Sequence, residues 1–397
     1  MSEPIWLPHD VQRSNLWRLT LAQALAGANS VVVYATGAII GSMLAPSPML
    51  ATLPISMFVV GMAASILPVG ALTRRYGRHR AFITGTSAGV LTGGLAMIAV
   101  IHSAFWLFCL ATFLGGSYAA VVLSFRFAAA DGVEPPRRAR ALSLVMAGGI
   151  AAGIVGPQLV TWTMELWPAH QFAATFLVQA LVAVLSGVIL TGVVPYQEPP
   201  AKPAPTRPLR TIASHPGFIT AAACGAVTYM LMNFLMTAAP LAMHMAGHDH
   251  RAANLGLQWH VIAMYAPSFV TGSLINRLGA GRVAAIGLFL TAISAVIGLL
   301  GTGVPHFWMM LVLLGVGWNF GFIGASTLVM AFHRPDEKVR VQTLNDFIVF
   351  GLMTIGSFSS GGILSAYGWD IVLWCSFLPL AFASSALVIT RWRAATP

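Results

Sequence analysis

The sequence predicts an all-α membrane protein of twelve transmembrane helices arranged as two six-helix halves. Three observations carry this. First, of 397 residues, 57% are hydrophobic and only 8% charged, with a mean hydropathy of +0.80; soluble domains carry about 25% charged residues. That composition excludes a soluble enzyme, a nucleic-acid-binding protein and a disordered chain, and makes lipid the solvent of most of the surface. Second, apolar runs long enough to cross a bilayer, for which a helix needs about 20 residues, recur twelve times. Third, the longest polar break falls between the sixth and seventh runs.

In order, the runs span 16–42, 49–72, 81–101, 104–126, 140–164, 170–194, 214–243, 257–275, 283–304, 306–331, 341–366 and 369–390. The first is too long for a signal-peptide core and has no cleavage-like end, so it is expected to be retained as a helix. The break from Pro195 to Ser214 holds six prolines in twenty residues. Proline cannot continue a helix, which makes this segment an extended linker. The expected organisation is therefore an N-terminal bundle at 1–194, a Pro-rich linker at 195–213 and a C-terminal bundle at 214–397.

Charge supports the count. With twelve crossings both termini share a side, and 20 of the 21 Lys and Arg residues fall on that side; only Arg251 lies opposite. Cytoplasmic loops collect basic residues, so both termini and the linker are expected in the cytoplasm of an inner-membrane protein. The net charge of +10 is then topological and implies no nucleic-acid partner. Cys109, Cys224 and Cys375 are widely spaced within apolar runs. They suggest neither a zinc site nor a disulfide framework, and Cys109 and Cys375 are expected to be buried.

The halves repeat one signal. After the second run comes Gly70-Ala-Leu-Thr-Arg74-Arg75-Tyr-Gly77-Arg78-His-Arg80, and after the eighth Gly272-Ser-Leu-Ile-Asn276-Arg277-Leu-Gly279-Ala-Gly-Arg282. Glycine permits a positive φ and close helix approach, and arginine suits a helix C-terminus. An internal repeat of six helices points to a transporter. The repeated segment resembles the loop motif of the major facilitator superfamily, G-x-x-x-D-R-x-G-R-R. The resemblance implies two six-helix bundles working by alternating access, without bond chemistry and without a cofactor. The chain departs from that motif in carrying Arg74 and Asn276 where the family has Asp, and it lacks the arginine usual in the fourth helix, within Ala111–Gly116. Gly149, Gly153, Gly156 and Pro157 are similar to part of a Gly-rich antiporter motif, although small residues in membrane helices also simply permit close packing.

Candidates for substrate contact are few. Charges inside a membrane are costly and functional by default, and only Asp346 and Glu165 qualify. Asp346 is open to three readings: a proton-coupling carboxylate, a stabiliser of a helix N-terminus, or the inverted partner of Arg74, with Arg74, Arg75, Arg78 and Asp346 as gating residues. The pairing with Arg74 is the favoured one. Soft ligands are more prominent. Six of the 18 methionines and four of the 11 histidines lie between 230 and 264. Met232-x-x-x-Met236 and His260-x-x-x-Met264 each put two side chains on one helix face. The loop between them carries Met243, His244, Met245, His248 and His250, a possible outer capture funnel. Methionine at helical spacing ordinarily serves packing, but three thioethers and an imidazole also form a neutral set suited to Cu(I). The two spaced pairs resemble those of the CcoA-type bacterial copper importers. That resemblance implies Met232, Met236, His260 and Met264 as metal ligands, copper import as the function and cytochrome oxidase assembly as its purpose. Cys224, one or two turns inward of Met232, is open to two readings, the ion's next acceptor or, the favoured one, an ordinary buried residue. The expected partners are the copper ion as substrate and the lipid bilayer, with the chain a monomer. The alternative is a proton-coupled drug or metabolite exporter with an adaptable methionine-lined pocket; a membrane sensor finds no support in segments so short.

Overall fold

The computed structural model describes residues 6–47, 50, 53–196 and 207–395, and among these all regular structure is helical. The central part of the linker, 197–206, lies outside the described residues. The chain divides into two compact units, Met1–Pro199 and Pro200–Pro397.

The first unit contains α1 (His9–Leu44), α2 (Leu53–Ile101), α3 (Phe105–Val122), the short α4 (Phe125–Ala128), α5 (Pro135–Thr163) and α6 (Ala173–Thr191). The 49 residues of α2 are two spans folded at Gly77, whose φ of 84° and ψ of 162° interrupt the helix. This supplies the second and third crossings, and α1, α3, α5 and α6 supply the other four. Residues with φ in this range are nearly always glycine, because a Cβ would clash with the preceding peptide. Where α2 crosses α3 the helices touch through glycine: a Cβ on Gly116 would overlap Phe58 O and lie 2.5 Å from Met62 N. Arg126 is expected among solvated basic residues, yet it is buried (1% exposed). Its Nη1 donates to Leu123 O at 2.8 Å and its guanidinium lies 4.4 Å from the Phe127 ring centroid.

The second unit contains α7 (Leu209–Ala213), α8 (Pro216–Met245), α9 (His250–Tyr265), α10 (Ser268–Leu278), α11 (Ala280–Leu300), α12 (Val304–Val329), α13 (Lys338–Tyr367) and α14 (Trp369–Ala395). Here the eighth run is not one helix. It breaks at Ala266-Pro267, where proline has no N–H to offer the preceding turn, and α9 and α10 together make the crossing. Gly279, seven residues after Gly272 as Gly77 is after Gly70, has φ 88° and ψ 147°. The sequence repeat is thus also a repeat of backbone conformation. Among the described residues, ten helices are long and apolar enough to span a membrane. Counting folded α2 as two and α9–α10 as one gives the twelve crossings of a multi-pass membrane protein. On α14, Trp374, Leu378 and Phe382 form an exposed stripe at i, i+4 and i+8. Cys375 beside them is exposed rather than buried, because in lipid an apolar side chain gains little by turning inward.

At one end of this unit, the carboxylate of Glu337 before α13 receives both arms of Arg207, Nε to Oε1 at 2.9 Å and Nη2 to Oε2 at 2.5 Å, and the Arg334 N–H at 3.0 Å. Arg207 Nη2 also reaches Phe332 O at 3.3 Å. A paired fork of this kind is geometrically specific. Glu337→Gln, which accepts at only one atom, is expected to lower the melting temperature of the detergent-purified protein and to speed proteolysis near Arg207. Unchanged melting and cleavage would show that the clamp does not hold this end.

Candidate functional site

A grouping of aromatic and polar side chains in the second unit lies where α8 and α9 pack on α12. One face of α12 presents Leu311, Gly315, Trp318, Asn319 and Phe322 at helical spacing. Gly315 admits α9: a Cβ there would sit 2.6 Å from His260 O and 2.9 Å from Met264 N. Gly321 likewise admits α8, since its Cβ would sit 2.5 Å from Thr228 Oγ1.

With the helices this close, rings interlock. Trp318 is stacked on Phe322, with centroids 5.3 Å apart and planes 20° apart. Tyr229 of α8 meets Trp318, Phe322 and Phe350 edge-on at 5.4, 5.0 and 4.7 Å. Tyr265 of α9 meets Trp318 edge-on at 5.5 Å. Offset and edge-to-face pairs are the favourable arrangements. Trp318 is buried, while Tyr229 and Tyr265 keep part of their surface open.

Asn319 holds the broken helix. Its Nδ2 donates to Met264 O at 2.6 Å and Ser268 Oγ at 2.7 Å, and its Oδ1 accepts from Thr271 Oγ1 at 2.6 Å. His260 is wholly buried, its Nδ1 donating to Leu311 O at 2.7 Å. Six polar atoms on these three helices are buried without a hydrogen-bond partner among the described residues: Thr228 Oγ1, Asn233 Nδ2, His260 Nε2 and Trp318 Nε1, with His306 Nδ1 and Ser326 Oγ nearer the two ends of α12. Buried polar groups are normally satisfied. This concentration marks the α8–α9–α12 interface as the candidate substrate site. Trp318 and Asn319 were legible as polar interruptions of an apolar run, which a search for charges alone passes over.

The residues singled out in the sequence differ in their surroundings. Met232, His260 and Met264 are buried and Met236 is half-buried. Of the outer loop, Met243 belongs to an apolar core with Phe234, Leu235 and Leu311. His248 donates from Nε2 to Thr302 O at 2.6 Å and packs on Phe307. His244 and Met245 are exposed, and the His250 side chain lies outside the described residues. Cys224 is buried, its Sγ 4.0 Å from Ala383 O. Arg74 and Arg75 are exposed, whereas Arg78 pairs with Asp131, Nε to Oδ2 at 2.8 Å. Asp346, in the other unit from Arg74, is buried and accepts from Asn345 Nδ2 at 3.1 Å. Among the described residues, no three His, Cys, Asp or Glu side chains converge as a metal site.

Comparison with known proteins gives the fold its family. A model of the Major Facilitator Superfamily matches residues 19–266. The chain belongs to the major facilitator superfamily. It is a transporter, then, and not an enzyme. The human organic anion transporter MFSD10 (TETRAN) is structurally similar with a TM-score of 0.76 at 15% identity, over 96% of this chain and 100% of that one. A bacterial homologue of the iron transporter ferroportin, in an outward-facing state, gives 0.72 at 14% identity over 96% and 99%. An organic-anion transporter and an iron-transporter homologue on one fold show that the fold does not select the cargo. In sequence, the chain is 43% identical over 383 residues to the riboflavin transporter RfnT of Brucella anthropi, covering 95% of this chain and 96% of that protein.

That relative overturns copper import and leaves the likeness to copper importers without support. The structure supplies the physical reason the spacing misled. His260 and Met264 are 202 residues after Phe58 and Met62, the same offset that separates Gly70 from Gly272 and Gly77 from Gly279. Phe58 and Met62 seat Gly116 as His260 and Met264 seat Gly315. The i, i+4 pair on the eighth span is the second copy of a packing seat.

Proposed function

We propose that this transporter carries riboflavin, or a planar heteroaromatic metabolite of similar size, across the bacterial inner membrane by alternating movement of its two bundles. The observation that carries this reading is the 43% identity with a riboflavin transporter along nearly the whole length of both chains. The aromatic grouping of Tyr229, Tyr265, Trp318, Phe322 and Phe350 supports it. A tricyclic flavin ring offers a large π-face, and stacking of a base on an aromatic side chain contributes about 1–3 kcal/mol. The site is nearly free of carboxylates, which suits an uncharged cargo. Of the two readings the sequence left open, this is the metabolite transporter. The 20-to-1 bias of basic residues supports termini in the cytoplasm.

Counterflow in proteoliposomes tests the substrate without presupposing direction. Vesicles preloaded with unlabelled riboflavin are expected to accumulate external labelled riboflavin transiently, and protein-free vesicles are not. Labelled copper in a parallel series is expected to stay at the protein-free level. Riboflavin exchange no faster than in empty vesicles would remove the reading.

A further inference from the structure

The repeated packing seat isolates a feature that packing does not explain. In the first bundle the position against the glycine is Phe58, 2% exposed and wholly apolar. In the second it is His260, 0% exposed. The facing glycine meets backbone atoms in both copies, so the seat itself does not call for an imidazole and the ring nitrogens have to be accounted for separately. Nδ1 is accounted for: a carbonyl only accepts, so Nδ1 carries the proton it shares with Leu311 O at 2.7 Å. A neutral imidazole protonated at Nδ1 presents a lone pair at Nε2, and this atom has no partner among the described residues. Leaving a buried acceptor in that state costs about 1–3 kcal/mol. Two turns further along the same face of α12, Trp318 Nε1 is also buried without a partner among the described residues, and its ring touches Tyr265 of α9. Directly after Tyr265 the spanning segment breaks at Ala266-Pro267, and irregular backbone at membrane depth is tolerated chiefly where it is enclosed by protein or borders a cavity. An acceptor, an aromatic wall and a helix break therefore adjoin along one helix pair.

We propose that His260 Nε2 is a specificity-determining acceptor, receiving the imide N–H at the edge of a planar heteroaromatic substrate whose ring lies against Trp318 and Tyr265. The proposal rests on the riboflavin reading and names one contact within it. In riboflavin the oxidised ring has a single N–H, at N3. A site built to bond an N–H rejects an analogue lacking it, because the site's acceptor is then left unpaired.

The test uses the full-length protein in detergent and follows binding by quenching of flavin fluorescence, for riboflavin and for 3-methylriboflavin. Wild type is expected to bind the methylated analogue roughly tenfold more weakly. His260→Phe, the residue the first bundle itself uses at this seat, is expected to bind riboflavin roughly tenfold more weakly than wild type and to stop distinguishing the two ligands. His260→Gln, which keeps an acceptor, is expected to retain part of the discrimination and serves as the decisive variant should the phenylalanine protein not elute as a folded monodisperse species. Wild type binding neither flavin would overturn the riboflavin reading and this inference together. Wild type binding riboflavin while His260→Phe still discriminates, or binds with unchanged affinity, would overturn the inference alone, as would loss of discrimination in a folded His260→Gln.

Discussion

Gly116→Ala is expected to yield almost no folded transporter. The added methyl has nowhere to go. It would overlap Phe58 O and stand 2.5 Å from Met62 N, and both are backbone atoms of α2 that no side-chain rotation can move. From the facing helix, Gly61 makes the reciprocal approach, its Cβ falling 2.8 Å from the Phe113 carbonyl carbon and 2.9 Å from its Cα. Relief requires the two helices to separate, which forfeits the close van der Waals packing that holds helices together in lipid, where no hydrophobic force replaces it. The cost is put at about 3 kcal/mol or more. Fluorescence-detected size exclusion after mild solubilisation reads it directly: a monodisperse peak for wild type and aggregate for the variant. Two controls bracket the result. Gly94→Ala, whose Cβ meets nothing within 4 Å, should behave as wild type. Gly115→Ala, 3.1 Å from a Thr92 methyl and 3.3 Å from the Phe58 ring, should lose only part of its stability. A normal Gly116→Ala peak would mean the crossing is looser than the structure shows.

Much of this architecture is written in the sequence because lipid imposes it. A helix must satisfy its own backbone across the whole bilayer, so span length, the proline-rich break and the placement of arginines all leave compositional marks. Gly77 and Gly279 could be recognised as turn positions because a positive φ admits almost no other residue. The interior of the second bundle was less legible, for three reasons. The break in the eighth span depends on one proline among apolar residues, and a hydropathy window averages it away. Arg126 counts as one more basic residue until the fold buries it beside Phe127. The spacing of His260 and Met264 was misleading because i, i+4 is shared by every pair that straddles a facing glycine, ligand or not. Aligning the two halves separates the cases, since Phe58 and Met62 keep the seat without the polarity. Which rings of α8, α12 and α13 interlock is a tertiary fact with no local signature at all.

Asn319→Leu, which keeps the number of side-chain heavy atoms, should produce the largest loss of stability in the second bundle, put at about 2–4 kcal/mol. Leucine has the branching of asparagine but bonds nothing, so the Met264 carbonyl and the Ser268 hydroxyl lose the donor they use now and Thr271 loses one of its two acceptors, keeping Pro267 O. Single hydrogen bonds between membrane helices average only about 0.6 kcal/mol, with the strongest near 1.7. Removing all three hydrogen bonds together, at a site 0% exposed, costs more than that range, because the Met264 carbonyl and the Ser268 hydroxyl lose this donor in a buried position while Thr271 keeps only its bond to Pro267 O at 2.7 Å. The damage should also be local. Pro267 already denies α9 and α10 a continuous hydrogen-bond ladder, and the amide of Asn319 is what spans the gap from the neighbouring helix. Hydrogen exchange in the variant should therefore rise first across residues 262–271 and spread to the rest of α10 before it reaches α11. If the melting temperature falls while exchange stays uniform, Asn319 acts through general packing. If neither changes, the break is held by Gly315 and the close approach of α9 to α12, and the amide is dispensable. A selective rise at the break, with counterflow slowed in the same variant, would identify this span as an element whose two segments must keep a fixed angle for the bundle to move as one body.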